Sequence, residues 1–542
     1  MPDLSLYLVI DQGGHATRAL FFDHCGEIHT QSTIPIRTFE PAAGQVEQDA
    51  AEMLASVHRA INEAYAALPA TLPLSKIVAA GLATQRSSIV CWSRRTGIPF
   101  TRVISWQDLR ARDILAGWQA QAERIRAITG LVPSPHYGAG KIRWCLDHIA
   151  DVARAQRAHD VVCGPLASFL AASLNRGIVT GPAVLTSEGV ATSEGVATSE
   201  GVATSEGVAT SEGFLIGQSV LNSQSVSIND AHPPPYCDPA NASRTLLFNV
   251  TQQSWDRTLL RDFRIPAQIL PLPVPTRYRY GLITVQSARV PLKIVTGDQS
   301  AVLFQDGTPR PGTLYINIGT GAFLQCTEST LPKTPPGLLR SVVMSEASRT
   351  LYAIEGTVNG AGSALSWFSQ HENVPDWSIH AAQWLESSSN LESDDVLFLN
   401  TVGGLGSPYW VTTREPRFVG QGSKPQRFRA VVESIVFLMF SNVERMLGAN
   451  VMLDRIVMSG GIATLNWIGQ GLADLTGLPV NRPHSLEATA RGVAQLLAQP
   501  DTRWICSSVT HFTPQNNIAL SHRYTRWRQA LENYVGGGST PR

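Results

Sequence analysis

The chain starts twice. Leu6-Tyr-Leu-Val-Ile10 runs into Asp11-Gln-Gly-Gly14 and then Thr17-Arg-Ala-Leu-Phe-Phe22; much later Leu314-Tyr-Ile-Asn-Ile318 runs into Gly319-Thr-Gly321 and then Ala322-Phe-Leu-Gln-Cys326. In both places an apolar run, a glycine-bearing turn and a second apolar run read as a β-hairpin. Two such units in one chain point to two related domains. Between and after them, helical stretches at Ala50–Ala66, Phe428–Leu447 and Asn466–Leu475 alternate with short apolar strands at Lys293–Thr296 and Arg455–Met458. That alternation predicts α/β architecture. A length of 542 residues agrees, since domains run to about 100–200 residues and each half can bury a core without disulfide or metal staples.

One segment is foreign to such a core. From Thr186 the hexapeptide TSEGVA runs four times, and TSEG closes it at Gly213. On a helix, successive valines of this repeat would advance about 600°, so no apolar stripe forms. A strand could hold them on one face, but a hexapeptide solenoid stacks at least about three coils of several hexads each, and this run is too short. It reads as a flexible loop, flanked by the exits Thr180 to Pro182 and His232-Pro-Pro-Pro235, within an insertion of about 179–237. Shortening 186–213 by whole hexads is expected to leave melting temperature and activity nearly unchanged, because closure entropy grows slowly with loop length. Melts and rate assays of the shortened chains check this.

Composition narrows the classes. Lys+Arg and Asp+Glu both number 43, which argues against a dedicated nucleic-acid or membrane-surface binder, since either needs a net basic face. The start lacks a basic region, the apolar run Leu4–Ile10 ends at Asp11, and no apolar stretch approaches the roughly 20 residues that span a bilayer. A cytoplasmic location is expected. Seven cysteines without a C-x-x-C pair fit reduced thiols. Homo-oligomerisation stays open.

Four turns can carry chemistry. In the first hairpin, the amides of Gly13 and Gly14 can face a phosphate, Arg18 can grip its oxygens, and Asp11 can hold Mg²⁺ through water. The alternative is a tight turn capped by Asp11. In Thr296-Gly-Asp298-Gln-Ser-Ala, Asp298 follows the strand Leu292–Val295, so it faces the crevice where α/β proteins bind ligands. There it can accept a proton from a hydroxyl whose oxygen attacks a phosphoryl group; the alternative is an N-cap. Ser459-Gly460-Gly461 again links strand to helix, where a nucleotide's ribose and phosphates can lie on the backbone. Glycines serve steric ends there too, and Gly319-Thr320-Gly321 carries the same ambiguity. Gly138-Ala-Gly-Lys-Ile142 is not a P-loop, because Pro135 stands where the first glycine belongs and Ile142 where a hydroxyl belongs.

Taken in order, DQGGHATRALFFD, GLATQRSSIVCWSRRTGIPF, ISWQDLR, GKIRWCLDH, NASRTLLFN, GDQSAVLF, GTGAFL, YAIEGTVNGAGSALSWF, GLGSPYW, SGGIATLNW and FTPQNN resemble the FGGY carbohydrate kinases, and within that family the glycerol kinase branch most closely. The resemblance covers nearly the whole chain outside the insertion. It implies two actin-like (ribonuclease H-like) domains around a central cleft: residues 1–300 on the substrate side, 301–534 on the nucleotide side, and a flexible tail 535–542. It implies ATP and Mg²⁺ as cofactors and phosphorylation of a hydroxyl of a small polyol or sugar. Carried over by position, Asp298 is the catalytic base and, with Asp11, a metal ligand through water. Arg86, Ser87, Trp106, His136, Tyr137 and Gln299 join Asp298 as substrate contacts. Gly13, Gly14, Thr17, Arg18, Gly319, Thr320, Gly321, Gly362, Gly460, Gly461 and Asn466 fall at nucleotide positions.

The departures are local. Gly14 and His15 replace a pair of threonines, so two hydroxyl donors are absent. Ser87 stands where the glycerol kinase branch has a glutamate, and loss of a charged acceptor from a polyol site costs on the order of 1.5–3 kcal/mol. Asp-Pro-Tyr of the substrate wall becomes Ser134-Pro135-His136 with Tyr137 one place on, Leu465 replaces the first of two asparagines, and Val419-Gly-Gln-Gly422 erodes a second signature. These departures motivate an alternative, a catalytically weakened relative acting as a nucleotide- or sugar-binding regulator. Arg86 and Trp106 at acceptor positions disfavour an actin-like ATPase without a small acceptor.

Overall fold

The computed structural model describes residues 5–177, 234–387, 396–411, 414–484, 487–499, 504 and 508–536. The hexapeptide run lies outside the described residues. Structure resumes within the expected insertion: Tyr236–Cys237 pairs in parallel with Leu272–Pro273 and buries Cys237. At the other end, helix Ile518–Gly536 extends through the first two residues of the expected tail, because Tyr534 and Val535 pack on the second core.

Two sheets set the architecture. The first has the strand order Arg277–Val285, Ala288–Gly297, Ile77–Thr84, Leu6–Gln12, Ala16–Asp23, Ile28–Pro35. Leu6–Gln12 and Ala16–Asp23 form the expected antiparallel hairpin. Leu6–Gln12, Ile77–Thr84 and Ala288–Gly297 are parallel, and their register sets Gln12 opposite Thr84 and Thr84 opposite Gly297. Three strands therefore end level, which brings Asp11, Arg86 and Asp298 to one edge of the sheet.

The central strands are buried on both faces, as parallel strands are when helices cover both sides. Leu8, Ile10 and Phe21 pack with Met53, Val57 and Ile61 of helix Ala50–Ala66 and with Phe169 and Leu170 of helix Leu166–Arg176. Asp49 caps the first of these helices by accepting the amides of Ala51 and Glu52. On the opposite face Val9, Leu20 and Phe22 pack with Val493 and Ala494 of helix Ala488–Ala498 and with Tyr315 and Val343 of the second sheet. One core thus joins the two bodies.

The second sheet has the order Leu339–Ser345, Thr350–Val358, Ala322–Glu328, Thr313–Ile318, Arg455–Ser459, Val480–Pro483, Val509–Phe512. Its hairpin Thr313–Ile318 and Ala322–Glu328 repeats the first, and Thr313–Ile318 runs parallel to Arg455–Ser459 with Asn317 opposite Ser459. Helices Lys424–Gly448 and Asn466–Thr476 supply much of its core. A smaller five-stranded sheet, which includes Ile89–Ser93 and Val103–Ile104, packs with helix Gly138–His148 beside the level edge of the first sheet. No described helix is long and apolar enough to cross a membrane, and the six described cysteines are free thiols.

Candidate active site

Asp298 opens a four-residue helix directly after the strand Ala288–Gly297. The N-cap is Gly297, so the carboxylate does not cap that helix; its Oδ1 accepts the Gln299 amide at 2.7 Å. Burial raises its pKa, against the opposing pull of Arg86, whose Nε lies 3.9 Å from Oδ1. Gln299 leaves toward the other body: its Oε1 accepts from Asn317 Nδ2 at 3.0 Å.

Asp11 is 4% exposed and accepts from Arg18 Nη1 at 3.2 Å. Its pKa is pushed up to about 7, chiefly by burial, with Asp298 and Glu487 adding to the rise and Arg18 opposing it. Arg18 Nε also lies 3.7 Å from Glu487. Asp11 and Glu487 therefore share one arginine with the Asp298 carboxylate acting on Asp11 nearby, a field that a divalent cation would relieve.

Two expected phosphate contacts are not offered in the first hairpin. The Gly13 amide donates to Ala16 O at 3.0 Å and closes the turn. Thr17 is fully buried; its hydroxyl donates to Gln12 Oε1 and pairs with Ser56 of helix Ala50–Ala66. Strand parity is the cause, since Thr17 shares a face with Ala19 and Phe21 while Arg18 points to the other. Gly14 O accepts from Gln48.

In the second body the Gly319 amide closes its own turn onto Gly321 O at 2.8 Å, and the Gly362 amide donates to Gly319 O, tying helix Gly362–His371 to the hairpin. Gly460 has φ 95°, and a Cβ there would sit 2.4 Å from Ile318 O, so the turn requires glycine. Gly319 and Gly461 differ: a Cβ on either would meet nothing within 4 Å. Together with exposed Thr320 and Asn466, they leave room on the backbone at the ends of two adjacent parallel strands. A nucleotide's phosphates and ribose fit such an opening.

The expected acceptor residues gather around Arg86. Its guanidinium is buried and drawn down to a pKa of about 10 by that burial. Ser87 follows with φ 65°, Trp106 is half-buried, and His136 Nδ1 lies 3.0 Å from Trp106 O, its pKa lowered to about 4 by burial. Tyr137 is buried against Arg244. Arg86 lies so close to the strand end that a Cβ on Gly297 would be 2.5 Å from its Cγ and Cδ. Gly297→Ala is therefore expected to displace the guanidinium and raise the acceptor KM about tenfold, with the nucleotide KM within about twofold; steady-state kinetics in each substrate check this.

Five residues escaped the sequence reading. Glu487 and Asn317 stand in ordinary contexts and gave no signal. Glu355 did carry one, a charged residue inside the apolar run 351–358, whereas Arg244 and Lys141 stand among small and polar residues. Glu355 is 1% exposed on the strand Thr350–Val358 and bonds to Arg86, Arg244, Gln325 and Ser341. Lys141 is fully buried, and its ammonium donates to the carbonyls of Ser87 at 3.1 Å, Ser105 at 2.7 Å and His136 at 2.8 Å.

Two hairpin-bearing α/β bodies that meet in this way define an actin-like ATPase fold of the sugar-kinase type. Family models agree: the N-terminal domain of the FGGY family of carbohydrate kinases matches residues 6–180 and its C-terminal domain matches 314–499. A glycerol kinase from Trichlorobacter lovleyi is 32% identical over 505 residues, covering 91% of this chain and 89% of that protein. Among solved structures, Plasmodium falciparum glycerol kinase with ADP superposes with a TM-score of 0.77 at 20% identity over 98% of both chains. Gluconate kinase from Lactobacillus acidophilus gives 0.75 at 17% identity over 99% of this chain and 100% of its own. The chain belongs to the FGGY family of carbohydrate kinases, and it is a kinase.

Proposed function

We propose that this chain transfers the γ-phosphoryl group of ATP to a terminal hydroxyl of a small polyol or sugar, with glycerol the first candidate because relatives across most of the chain carry the name glycerol kinase. Residues 1–300 would carry the acceptor side and 301–534 the nucleotide side. Helix Ala488–Ala498 returns from the second to pack on the first sheet.

One observation carries the reading: Asp298 stands between Arg86 on its own body and, through Gln299, Asn317 on the other. In the assigned roles, Asp298 takes the proton of the acceptor hydroxyl as that oxygen bonds to the γ-phosphorus and the bond to the β–γ bridging oxygen breaks. Its raised basicity suits the task. Arg86 holds the acceptor's oxygens and Trp106 offers an apolar face to its carbons. Ser87, His136, Tyr137 and Gln299 line the same pocket. Arg18 and Gly14 face the phosphates from the first hairpin, while Gly319, Thr320, Gly321, Gly362, Gly460, Gly461 and Asn466 form the nucleotide cradle. Mg²⁺ fits near Asp11 and Asp298, held through water, where it would offset phosphate charge.

Coupled ADP release over a panel of polyols and ketoses tests the reading. Acceptor-dependent turnover is the expected result. Nucleotide binding without turnover on any acceptor would overturn it in favour of a binding regulator.

A further inference from the structure

The residues assigned to the acceptor meet a charge from the opposite body. Glu355 lies on the strand Thr350–Val358 of the second sheet, yet its Oε1 is 3.3 Å from Arg86 Nη1 and its Oε2 accepts from Arg244 Nη2. Gln325 Nε2 donates to Oε1 at 2.7 Å and the Ser341 hydroxyl donates to it as well. The carboxylate is thus held from its own sheet by two neutral donors and from the other body by two cations. Arg86, Arg244 and Glu355 have side chains exposed by 6%, 4% and 1%, so water screens none of them. Asp298, with Oδ1 3.9 Å from Arg86 Nε, is the second anion of the group, and the buried Tyr137 hydroxyl is its neutral member. Two guanidinium groups and two carboxylates leave the chamber with no net charge.

In so enclosed a chamber, an acceptor bringing its own carboxylate would have to be desolvated with no cation left to receive it. An uncharged polyol or ketose would need only hydrogen bonds. We propose that Glu355 sets the charge selectivity of the acceptor site, neutralising the Arg86–Arg244 pair from the nucleotide-side body so that the kinase takes uncharged acceptors and rejects hydroxy acids. The inference rests on the polyol or sugar kinase reading above and adds the charge class of its acceptor.

The test compares kcat/KM for glycerol and xylulose with that for glycerate and gluconate, in the wild type, Glu355→Gln, and the double variant Arg244→Gln/Glu355→Gln. The wild type is expected to favour the uncharged pair. Glu355→Gln leaves an excess cation, so the anionic-to-uncharged ratio should rise about 100-fold, with the nucleotide KM within about twofold. The double variant restores the charge balance and should return the ratio to within about tenfold of wild type. A folded Glu355→Gln with an unmoved ratio overturns the inference, as does a double variant that keeps the anionic preference. If Glu355→Gln does not fold, the wild type still decides, because higher kcat/KM on glycerate or gluconate than on glycerol and xylulose also overturns it. No turnover on any acceptor overturns the kinase reading and this inference together; turnover with an unmoved ratio overturns this inference alone.

Discussion

Asp298→Asn is expected to lower acceptor-dependent kcat by about 10²- to 10⁴-fold, the range a positioned general base supplies. Asn keeps the shape and can still accept the Gln299 amide that Asp298 Oδ1 accepts at 2.7 Å. What it loses is the ability to take a proton. Stability should change little: burial already disfavours the ionised form of this carboxyl, and Arg86 retains Glu355 as its partner. Nucleotide affinity should also hold, since the glycine turns of the second body are untouched. The decisive measurement pairs ADP release with thermal melting. A folded variant that turns over at the wild-type rate would remove Asp298 from the chemistry and leave Asp11, Glu355 and Glu487 as the remaining carboxylates of the site. A variant that loses rate and unfolds would speak to structure alone, so the melt is measured on the same preparation.

What could be read before folding was local. The two hairpins were legible because apolar runs flanking glycine turns admit few other conformations, and helix Ala50–Ala66 was legible from its length of periodic apolar residues behind Asp49. Asp298 was legible as a carboxylate at a strand's end. Thr17 shows the limit of reading by proximity. It sits beside Arg18 in sequence, but alternation along the strand turns it to Ser56 and the core while Arg18 turns to Asp11. Gly13 shows another, since a glycine that invites a phosphate can use its amide to close its own turn. The charged chamber was out of reach for a different reason. Arg86 and Glu355 are 269 positions apart, and no periodicity or spacing rule links a residue of one sheet to its partner on another. The packing of the two bodies brings them together, with Arg86 just past the end of one strand of the first sheet and Glu355 within an antiparallel strand of the second.

Lys141→Met is expected to destabilise the fold by about 3 kcal/mol and to lower acceptor kcat/KM by about 100-fold. The ammonium it removes is the common donor to the carbonyls of Ser87, Ser105 and His136. Those carbonyls adjoin Arg86, Trp106 and Tyr137, so one buried cation sets the spacing of three loops of the proposed acceptor wall. Methionine fills the volume and leaves the three oxygens short of a donor. The nucleotide KM should stay within about twofold, because among the described residues the hydrogen bonds of Lys141 all stay within the first body; an equal rise in both KM values would show a global defect instead. A pH series separates the charge from the shape. Burial pulls the Lys141 pKa down to about 7, with Arg110 assisting and Asp108 and Cys145 opposing, whereas an unfolded lysine titrates near 10.4. Between these values the unfolded chain binds the proton more tightly, so wild-type stability gains with rising pH from this residue. The gap between wild type and Lys141→Met should therefore be smallest below about pH 7 and widen as pH rises toward 10. Denaturant melts of both proteins at pH 6.5 and 9 would measure it, and a gap that narrows over that interval would mean that the three carbonyls outweigh burial and that folding raises the Lys141 pKa instead of lowering it.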